Sequence, residues 1–421
     1  MRSQYKMNDS LSEPTRRSRV ILNEGIAQER HIIILYPTQT WMITWLDSDI
    51  KAMGFTKFRW ICTFIGLVFS VVDITSDLLL SLQYFREQQY TWFALTLLFV
   101  LVGSLCMQIF SYCWFREDSN GVEGTESLTT NIGLLHLLHL GFFTRYYDLL
   151  KKSFSSVWRA NSGTSTEMLF GLAADLSMLR LMETFLESVP QLLLQAYIML
   201  EHQRTSKIQY LSMAVSFLNV AWSIVDYWRC LRRSLPNTKE MPGGIPTVVY
   251  LLYKTLTITA RVLSLTLIIM LSSWNLLVLG SLWLAGTVWA HMIKTDFCTF
   301  RCLEELYRAI VGVILVFTFF NIKGKKTKKH MSIYYMLSTL HNFSAPLFLF
   351  LFMPKTVESD FFLPVTVFIL TSNTVGLGFL ILYYRALHPG NRVESDALDG
   401  MVTMNTNNSS PTRHFDRFLR L

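Results

Sequence analysis

The segment that decides the fold of this chain spans residues 173–195 and reads AADLSMLRLMETFLESVPQLLLQ. It is apolar enough for a helix inside a bilayer, yet polar and charged residues recur in it at helical spacing. On a helix these residues form one stripe about 140° wide and, at about 1.5 Å rise per residue, about 21 Å long. Asp175 lies off the stripe, and Pro190 is expected to bend the helix. The stripe consists of Ser177, Arg180, Glu183, Thr184, Glu187, Ser188 and Gln191.

The composition of the whole chain is that of a membrane protein. Of its 421 residues 51% are hydrophobic and 16% are charged, and the mean hydropathy is +0.32. Soluble domains carry roughly 25% charged residues, so a soluble fold is excluded, and the apolar content excludes disorder for most of the chain. The six cysteines are scattered, which argues against a disulfide scaffold. The net charge of +8 is typical of Lys and Arg in cytoplasmic loops, and nucleic acid is not an expected partner.

Ten apolar segments are candidates for membrane helices, each of which needs about 20 residues to span a bilayer. The third and the eighth differ from the others, because their apolar centres, Ile132–Phe143 and Ala309–Phe320, are about half a span long. The ten segments are 60–83, 91–114, 130–150, 167–200, 208–229, 245–271, 275–295, 303–322, 331–353 and 361–386.

The positions of Lys and Arg decide how many of these segments cross. If the third and eighth segments enter the membrane and return, the basic loops Lys151–Arg159, Arg229–Lys239 and Lys323–Lys329 all lie in the cytosol. The sequence therefore predicts an all-α polytopic membrane protein with about eight transmembrane helices and two re-entrant helices. Both termini are expected to be cytoplasmic. The two short segments hold matching places in two groups of five, which predicts two pseudo-symmetric halves.

This topology divides the chain into four parts. Residues 1–57 form a cytoplasmic N-terminal extension that we expect to be poorly ordered. Residues 58–240 form the N-terminal membrane half and residues 241–388 the C-terminal membrane half, each with four spans and one re-entrant segment. Residues 389–421 form a cytoplasmic tail rich in Asn, Ser, Thr and Pro.

Further ionisable residues lie inside the apolar segments. Asp73 and Asp77 share one face of the first span, Asp226 lies near the end of the fifth segment, and Arg261 lies deep in the sixth. Two interpretations are open: ion pairs in which Arg180 or Arg261 neutralises the carboxylates, or a path that guides polar headgroups or ions past the apolar core. The stripe crosses most of the bilayer and is longer than a single ion pair between helices requires, which favours a path for headgroups or ions.

Motifs of enzymes are missing from the sequence. It contains no nucleophile elbow, Walker loop, zinc-protease helix or Gly-rich dinucleotide loop. The histidines and cysteines do not have the spacing of a zinc site. We therefore expect neither a metal nor another cofactor, and we do not expect an enzyme.

The tail carries a candidate protease site, residues 394–400, which read ESDALDG. An executioner caspase cuts an extended segment after Asp and prefers a second Asp three residues earlier and a small residue after the cut. Asp396, Asp399 and Gly400 meet these requirements, with cleavage after Asp399.

Beyond this site the tail has one apolar face. Phe415, Phe418 and Leu419 have i, i+3, i+4 spacing, as on one side of a helix. This face predicts an inhibitory latch that docks against the cytoplasmic side and that cleavage removes. The alternative is a tail that only touches the membrane surface.

Long ordered strings of the sequence resemble the XK-related family over about residues 54–400. The clearest is Asp175–Gln191, which reads DLSMLRLMETFLESVPQ. The others are Phe110–Phe115 (FSYCWF), Leu134–Gly141 (LLHLLHLG) with Arg145, Asp226-Tyr227, Leu306–Arg308, Phe319–Gly324 (FFNIKG) and the stretch from Tyr383-Tyr384 through His388-Pro389.

The resemblance implies a plasma-membrane phospholipid scramblase of the caspase-activated branch, which exposes phosphatidylserine in apoptosis once a caspase removes the tail. It implies activity without ATP or calcium, and a fold of eight spans and two re-entrant helices in two halves. Trp92 matches a position near the outer mouth of the lipid path. The buried polar positions that the resemblance assigns to this path match Asp73, Asp77, Asp175, Arg180, Glu183, Glu187, Asp226 and Arg261.

The partners that follow from the resemblance are membrane phospholipids, above all phosphatidylserine, an executioner caspase and a single-span chaperone subunit. The chain departs from the family pattern in its N-terminal extension, residues 1–52. Two alternatives stay open: a solute or ion transporter that uses the same intramembrane charges, and a non-catalytic partner subunit of another membrane protein.

Overall fold

The chain divides into two units, Met1–Met53 and Gly54–Leu421. Every residue described by the computed structural model belongs to the second unit. The described residues are 55–119, 126–158, 166–202, 207–234, 241, 244–293, 295, 297–298, 300–320, 327–353 and 359–387. The predictions for the N-terminal extension up to residue 54 and for the tail fall outside them. These include the caspase site Asp396, Asp399 and Gly400 and the latch residues Phe415, Phe418 and Leu419.

The described residues form helices and contain no strand. Six of the described helices are long and apolar enough to cross a membrane, and these candidate spans begin at Lys57, Tyr90, Lys207, Ile245, Lys328 and Phe362. The helix Leu276–Met292 is apolar but shorter. The all-α polytopic membrane fold is thereby confirmed, whereas the division into two membrane halves at residues 240 and 241 stays a prediction. The helices are α1 (Lys57–Arg86), α2 (Tyr90–Ser119), α3 (Glu126–Leu137), α4 (Gly141–Trp158), α5 (Thr166–Leu186), α6 (Ser188–His202), α7 (Lys207–Ser234), α8 (Ile245–Leu271), α9 (Leu276–Met292), α10 (Arg301–Phe317), α11 (Thr327–Phe352) and α12 (Phe362–Leu382).

The fourth apolar segment is divided into α5 and α6 by an interruption at Glu187. Pro190 has no N–H, so the carbonyl of Leu186 loses its partner one helical turn later. The bonds on either side persist: Glu187 N donates to Glu183 O at 2.8 Å, and Gln191 N donates to Glu187 O at 3.0 Å. The helix is interrupted at Glu187, three residues before the proline at which a bend was predicted.

The third apolar segment folds as a helical hairpin, α3 and α4. His139 adopts φ 60°, and the Leu140 N–H closes the end of α3 on the carbonyl of Leu135 at 2.8 Å. With 12 residues, α3 is about 18 Å long, well below the thickness of a bilayer core. The length of α3 agrees with the predicted half-span, whereas α4, with 18 residues, is about 27 Å long.

The eighth segment, α10, reverses at its end. Its Val316 carbonyl accepts from Nε of Arg261 at 3.0 Å, whereas Thr318 accepts from Nζ of Lys254 at 3.0 Å. Lys254 precedes Arg261 by two turns of α8, so the chain after α10 runs back towards the beginning of α8. This course is the one expected of a segment that returns to the side from which it came.

Helix α5 lies at the centre of the described bundle. Its apolar side chains Leu176, Leu179, Met182 and Phe185 are buried, and so is its polar stripe. Large apolar side chains remain exposed on α1, α2, α9, α11 and α12, where they face the surroundings of the bundle. This arrangement inverts the pattern of a soluble protein, because the outer surface is apolar and the centre holds charges.

Candidate functional site

A series of polar side chains, most of them buried, runs along the facing sides of α1, the α5–α6 pair and α7. We call this set the polar ladder. Five of its charged members, Asp73, Asp77, Arg180, Glu183 and Glu187, are each no more than 4% exposed, and the side chain of the sixth, Asp226, is 21% exposed. The ladder consists of Asp73, Asp77, Arg180, Glu183, Glu187, Ser188, Gln191, Gln195, Ser212, Ser216, Asn219 and Asp226.

Asp73 is the most completely hydrogen-bonded member of the ladder. Its Oδ2 accepts from Ser188 Oγ at 2.7 Å and from Asn219 Nδ2 at 2.7 Å, and its Oδ1 accepts from Ser216 Oγ at 2.7 Å. Three donors from α6 and α7 therefore replace the water that a carboxylate loses on burial.

Asp77 lies one turn further along α1 and has fewer donors. Its Oδ1 accepts from Ser212 Oγ at 2.8 Å, and Ser212 accepts from Gln195 Nε2 at 2.9 Å. The carbonyl of Gln195 accepts from Gln209 at 3.1 Å, which extends the connected groups towards the beginning of α7. The Oδ2 of Asp77 is buried and receives no hydrogen bond.

Arg180 is the cation of the ladder. Its Nη2 donates to Asn219 Oδ1 at 2.9 Å, and its Nη1 lies 3.9 Å from Oδ2 of Asp226. Gly66 on α1 makes room for it, since a Cβ at this position would overlap the guanidinium. Glycine at residue 66 thus leaves room for the Arg180 side chain, which reaches α1 from α5.

Glu183 and Glu187 are buried without donors. Oε1 of Glu183 and both carboxylate oxygens of Glu187 receive no hydrogen bond. Glu187 packs against α2, where a Cβ at Gly103 would come within 2.8 Å of the Cβ of Glu187. Both carboxylates are acceptors that lack a donor in this arrangement.

Within the described structure no salt bridge joins these carboxylates to Arg180 or Arg261, although the Arg180 guanidinium attracts the carboxylates of Asp73 and Glu183 from a greater distance. The ion-pair interpretation therefore stays open for these two residues. Hydroxyl and amide groups of α7 take the place of cations at Asp73 and Asp77. Sequence reasoning missed these groups although a signal was present. Polar residues recur on α7 with spacings of three and four, namely Gln209, Ser212, Ser216, Asn219, Ser223 and Asp226.

Asp175 lies at one end of the ladder and faces a different helix. Its Oδ2 is 3.9 Å from Nη1 of Arg145 on α4. Arg145 also donates from Nε to Ser111 Oγ at 2.7 Å and from Nη2 to the Ser111 carbonyl at 2.8 Å. The α3–α4 hairpin is thus fastened to α2 and α5 by charged and polar groups.

Trp92 lies at the opposite end, near the beginning of α2. Its ring is 5.6 Å from the ring of Tyr84 on α1 and 4.9 Å from that of His202 at the end of α6. These aromatic rings close the bundle beyond Asp77 and Gln195. Arg261 is not part of the ladder, because its polar contact is with α10.

The ladder is suited to cations and to groups that move along it. Its five carboxylates, on Asp73, Asp77, Glu183, Glu187 and Asp226, greatly outnumber its single guanidinium. They are spread along the helix axes, and no cluster of three or more metal-ligating side chains occurs among the described residues. A chain of single acceptors favours a migrating ammonium or a proton over a fixed metal.

Comparison with known proteins identifies the family. The family model described as XK-related protein matches residues 61–389. XK-related protein 9 of Tetraodon nigroviridis is 47% identical over 361 residues, covering 82% of this chain and 95% of that protein. XK-related protein 8 of the same fish is 34% identical over 338 residues, covering 77% and 82%. XK-related protein 8 of Gasterosteus aculeatus is 32% identical over 354 residues, covering 81% and 87%. With most of its length matched, and with the buried polar segment inside the match, this chain belongs to the XK-related family.

Proposed function

We propose that this chain is a phospholipid scramblase of the plasma membrane that exposes phosphatidylserine on the cell surface during apoptosis. The observation that carries the proposal is the polar ladder, a series of charged and polar groups inside an apolar bundle. The carboxylates of Glu183 and Glu187 suit the ammonium of a headgroup, and the guanidinium of Arg180 suits its phosphate. The acyl chains remain in the lipid. Such a translocator is not an enzyme and needs neither ATP nor a cofactor.

The burial of the ladder supports a closed resting state. Arg180, Glu187 and Gln191 are each no more than 1% exposed, so headgroups have no direct access to them. Scrambling therefore requires a rearrangement of the helices around α5. A trigger outside the ladder is needed, and a removable segment of the chain meets that need.

We assign the trigger to the cytoplasmic tail, cut by an executioner caspase after Asp399. A small cleft of about 60 Å³ lies between α5, α7, α8 and α10, and Trp228, Tyr250 and Tyr384 line it. Leu387, the last described residue, follows Tyr384 by three positions, and the predicted latch lies further along the chain. The apolar lining of the cleft suits Phe415, Phe418 and Leu419, and residues 388–414 can reach roughly 90 Å when extended.

A reconstitution experiment tests the proposal. The purified full chain is inserted into liposomes that contain fluorescent phosphatidylserine, and dithionite bleaches the label in the outer leaflet with and without caspase treatment. We expect bleaching of about half of the label before cleavage and of nearly all after it. Asp399→Ala should keep the lower value in the presence of caspase. The matched control is Asp416→Ala, which changes a tail carboxylate outside the site and should leave activation intact.

Bleaching by the cleaved protein at the level of empty liposomes would refute the scramblase. Uptake of a solute or an ionic current without lipid movement would favour the transporter. A stable stoichiometric complex that shows no scrambling would favour a non-catalytic partner subunit. Co-purification of the chain with a single-span membrane protein would support the predicted chaperone subunit. Labelling of tags at the two termini only after the cells are permeabilised would support the cytoplasmic location of these termini.

A further inference from the structure

One side-chain amide on α7 lies between opposite charges of the polar ladder. Asn219 is 2% exposed, and its Nδ2 donates to Oδ2 of Asp73 on α1 at 2.7 Å. Its Oδ1 accepts from Nη2 of Arg180 on α5 at 2.9 Å. A carboxylate only accepts and a guanidinium only donates, so these two partners fix the orientation of the amide. Asn219 therefore links three helices and has one charged group on each side.

Asp73 and Arg180 carry opposite charges, yet no salt bridge joins them within the described structure. A carboxylate and a guanidinium that meet directly form short hydrogen bonds of about 2.7–2.9 Å, often two in parallel. The carboxylate accepts instead from neutral side-chain groups, namely those of Ser188, Ser216 and Asn219. The amide of Asn219 thus occupies the position that a direct ion pair would need.

The remaining donors of Arg180 are not saturated. Its Nε and Nη1 are buried and donate no hydrogen bond, and the nearest acidic group, Oδ2 of Asp226, lies 3.9 Å from Nη1. Without the amide, these donors would be free to pair with Asp73. A buried ion pair is costly to separate, because each partner becomes an uncompensated charge. A direct pair would therefore hold α1 to α5 more firmly than hydrogen bonds to a neutral amide do.

We propose that Asn219 is a positioning residue that keeps Asp73 and Arg180 apart, so that α1 and α5 can separate without breaking a buried ion pair. The proposal rests on the proposed function in one respect, namely that the helices around α5 rearrange before lipid moves. The guanidinium also remains available to the phosphate of a headgroup. The residues that the family resemblance assigns to the lipid path do not include Asn219.

A thermodynamic cycle tests the separation of the charges independently of lipid movement. Melting temperatures of the purified full chain are measured for Asp73→Asn, Arg180→Met and the double variant, each with Asn219 and with Asn219→Ala. The non-additivity of the first two substitutions gives the coupling between residues 73 and 180. We expect this coupling to rise by at least about 3 °C in Asn219→Ala, because the vacated space lets the two charges pair directly.

Scrambling by the caspase-cleaved chain supplies a second readout. Asn219→Ala should lower the rate of lipid movement at least about fivefold, because opening then breaks the pair between Asp73 and Arg180. In an Asp73→Asn background the same substitution should lower the rate less than about twofold, since no ion pair can form there. A general loss of packing would instead lower the rate equally in both backgrounds.

Asn342 on α11 provides the matched control. It is 1% exposed, accepts from Oγ of Ser264 at 2.7 Å and donates to Oδ1 of Asn373 at 3.0 Å. Asn342→Ala thus removes one accepted and one donated hydrogen bond at similar burial, and both of these partners are neutral. It should leave the coupling between residues 73 and 180 unchanged, and it should change the rate of scrambling less than about twofold.

The outcomes separate this role of Asn219 from the proposed function. A coupling that stays equal or falls in Asn219→Ala would overturn the role, because the amide would then only link the two charges. An equal loss of rate in both backgrounds, or a raised coupling with an unchanged rate, would refute the effect on opening. If the coupling rises but the cleaved wild-type chain does not scramble, the charges are held apart as proposed and the proposed function fails. If the cleaved chain scrambles and the coupling does not rise, only the role of Asn219 is refuted.

Discussion

Individual residues in the ladder differ in how well burial is compensated. Asp73 accepts three hydrogen bonds, Asp77 accepts one, and Glu187 accepts none. If a buried carboxylate that accepts hydrogen bonds is removed, its donors are left without an acceptor. If a buried carboxylate that accepts none is removed, no donor loses a partner. We therefore assign structural weight to Asp73 and availability for a ligand to Glu187.

This difference predicts an order of stability. Asp73→Leu should lower the free energy of unfolding by about 3 kcal/mol or more, because Ser188, Ser216 and Asn219 lose their acceptor. Glu187→Leu should cost less or even stabilise the protein. Thermal unfolding of the purified variants, followed by tryptophan fluorescence, measures the order. A lower melting temperature for Glu187→Leu than for Asp73→Leu would contradict the prediction.

Glycine 66 supplies a second prediction at this scale. Gly66→Ala should destabilise the fold by about 1–3 kcal/mol, because the added methyl group overlaps the Arg180 guanidinium. Gly280→Ala on α9 is the matched control, since nothing lies within 4 Å of a Cβ there. Melting temperatures of the two variants decide the question, and an equal shift in both would show that Arg180 moves aside without cost.

At the scale of elements, the turn before α10 is held by one carboxylate. Glu304 accepts from the backbone N–H groups of Phe297 and Cys298 at 2.8 and 2.7 Å, and from the hydroxyl of Thr295. Arg308 donates to the Thr295 carbonyl at 2.6 Å. Glu304 and Arg308, which are one helical turn apart on α10, thus hold the turn that precedes this helix.

Cysteine reactivity reports on this turn. Burial and, to a smaller extent, the Glu304 carboxylate raise the pKa of the Cys298 thiol. Glu304→Gln removes the negative charge and one acceptor, so the pKa should fall towards its ordinary value and the thiol should become accessible. We expect Cys298 to react with maleimide at least about threefold faster at pH 7.5.

Mass spectrometry of the labelled peptides measures this rate, with the exposed Cys302 as an internal standard. Glu305→Gln is the matched control, because Glu305 is exposed and contacts Arg308 at 2.5 Å without touching the turn. Equal Cys298 rates in the two variants would show that Glu304 does not hold the turn.

In the whole molecule, the carboxylates of the ladder and the buried cations of α8 lie on different helices. The carboxylates of the ladder lie on α1, α5, α7 and the α5–α6 junction, whereas Lys254 and Arg261 lie on α8. Apolar side chains cover the outside of the bundle. Relative movement of these helices would expose the charged groups to lipid headgroups, which is why we expect release of the tail to affect the bundle as a whole.

The latch supplies the prediction at this scale. Phe418→Asp should produce scrambling without caspase, because a charged residue on the apolar face weakens docking in an aromatic cleft. Arg417→Ala is the matched control, because Arg417 would lie opposite the apolar face on the helix that the spacing predicts. Dithionite bleaching of uncleaved protein in liposomes measures the effect, and a silent Phe418→Asp variant would contradict the latch.

The sequence by itself determined the membrane class, the positions of the helices and the polar face of α5. These features are local, because apolar length and helical period are properties of neighbouring residues. The predicted limits of the sixth segment, 245–271, coincide with α8, which begins after Gly244 at φ 79° and has Pro246 in its first turn.

The tertiary structure alone decided which groups meet. Asn219 donates to Asp73, which is 146 positions away in the sequence. The helical period of the sequence predicts which face of a helix is polar, but not which residue of another helix packs against that face. Charge alone left open whether Arg261 neutralises a carboxylate, and the structure places its Nε on the Val316 carbonyl of α10. A hydrogen bond is decided by a few tenths of an ångström between atoms of different helices, and only the packing of the helices sets such distances.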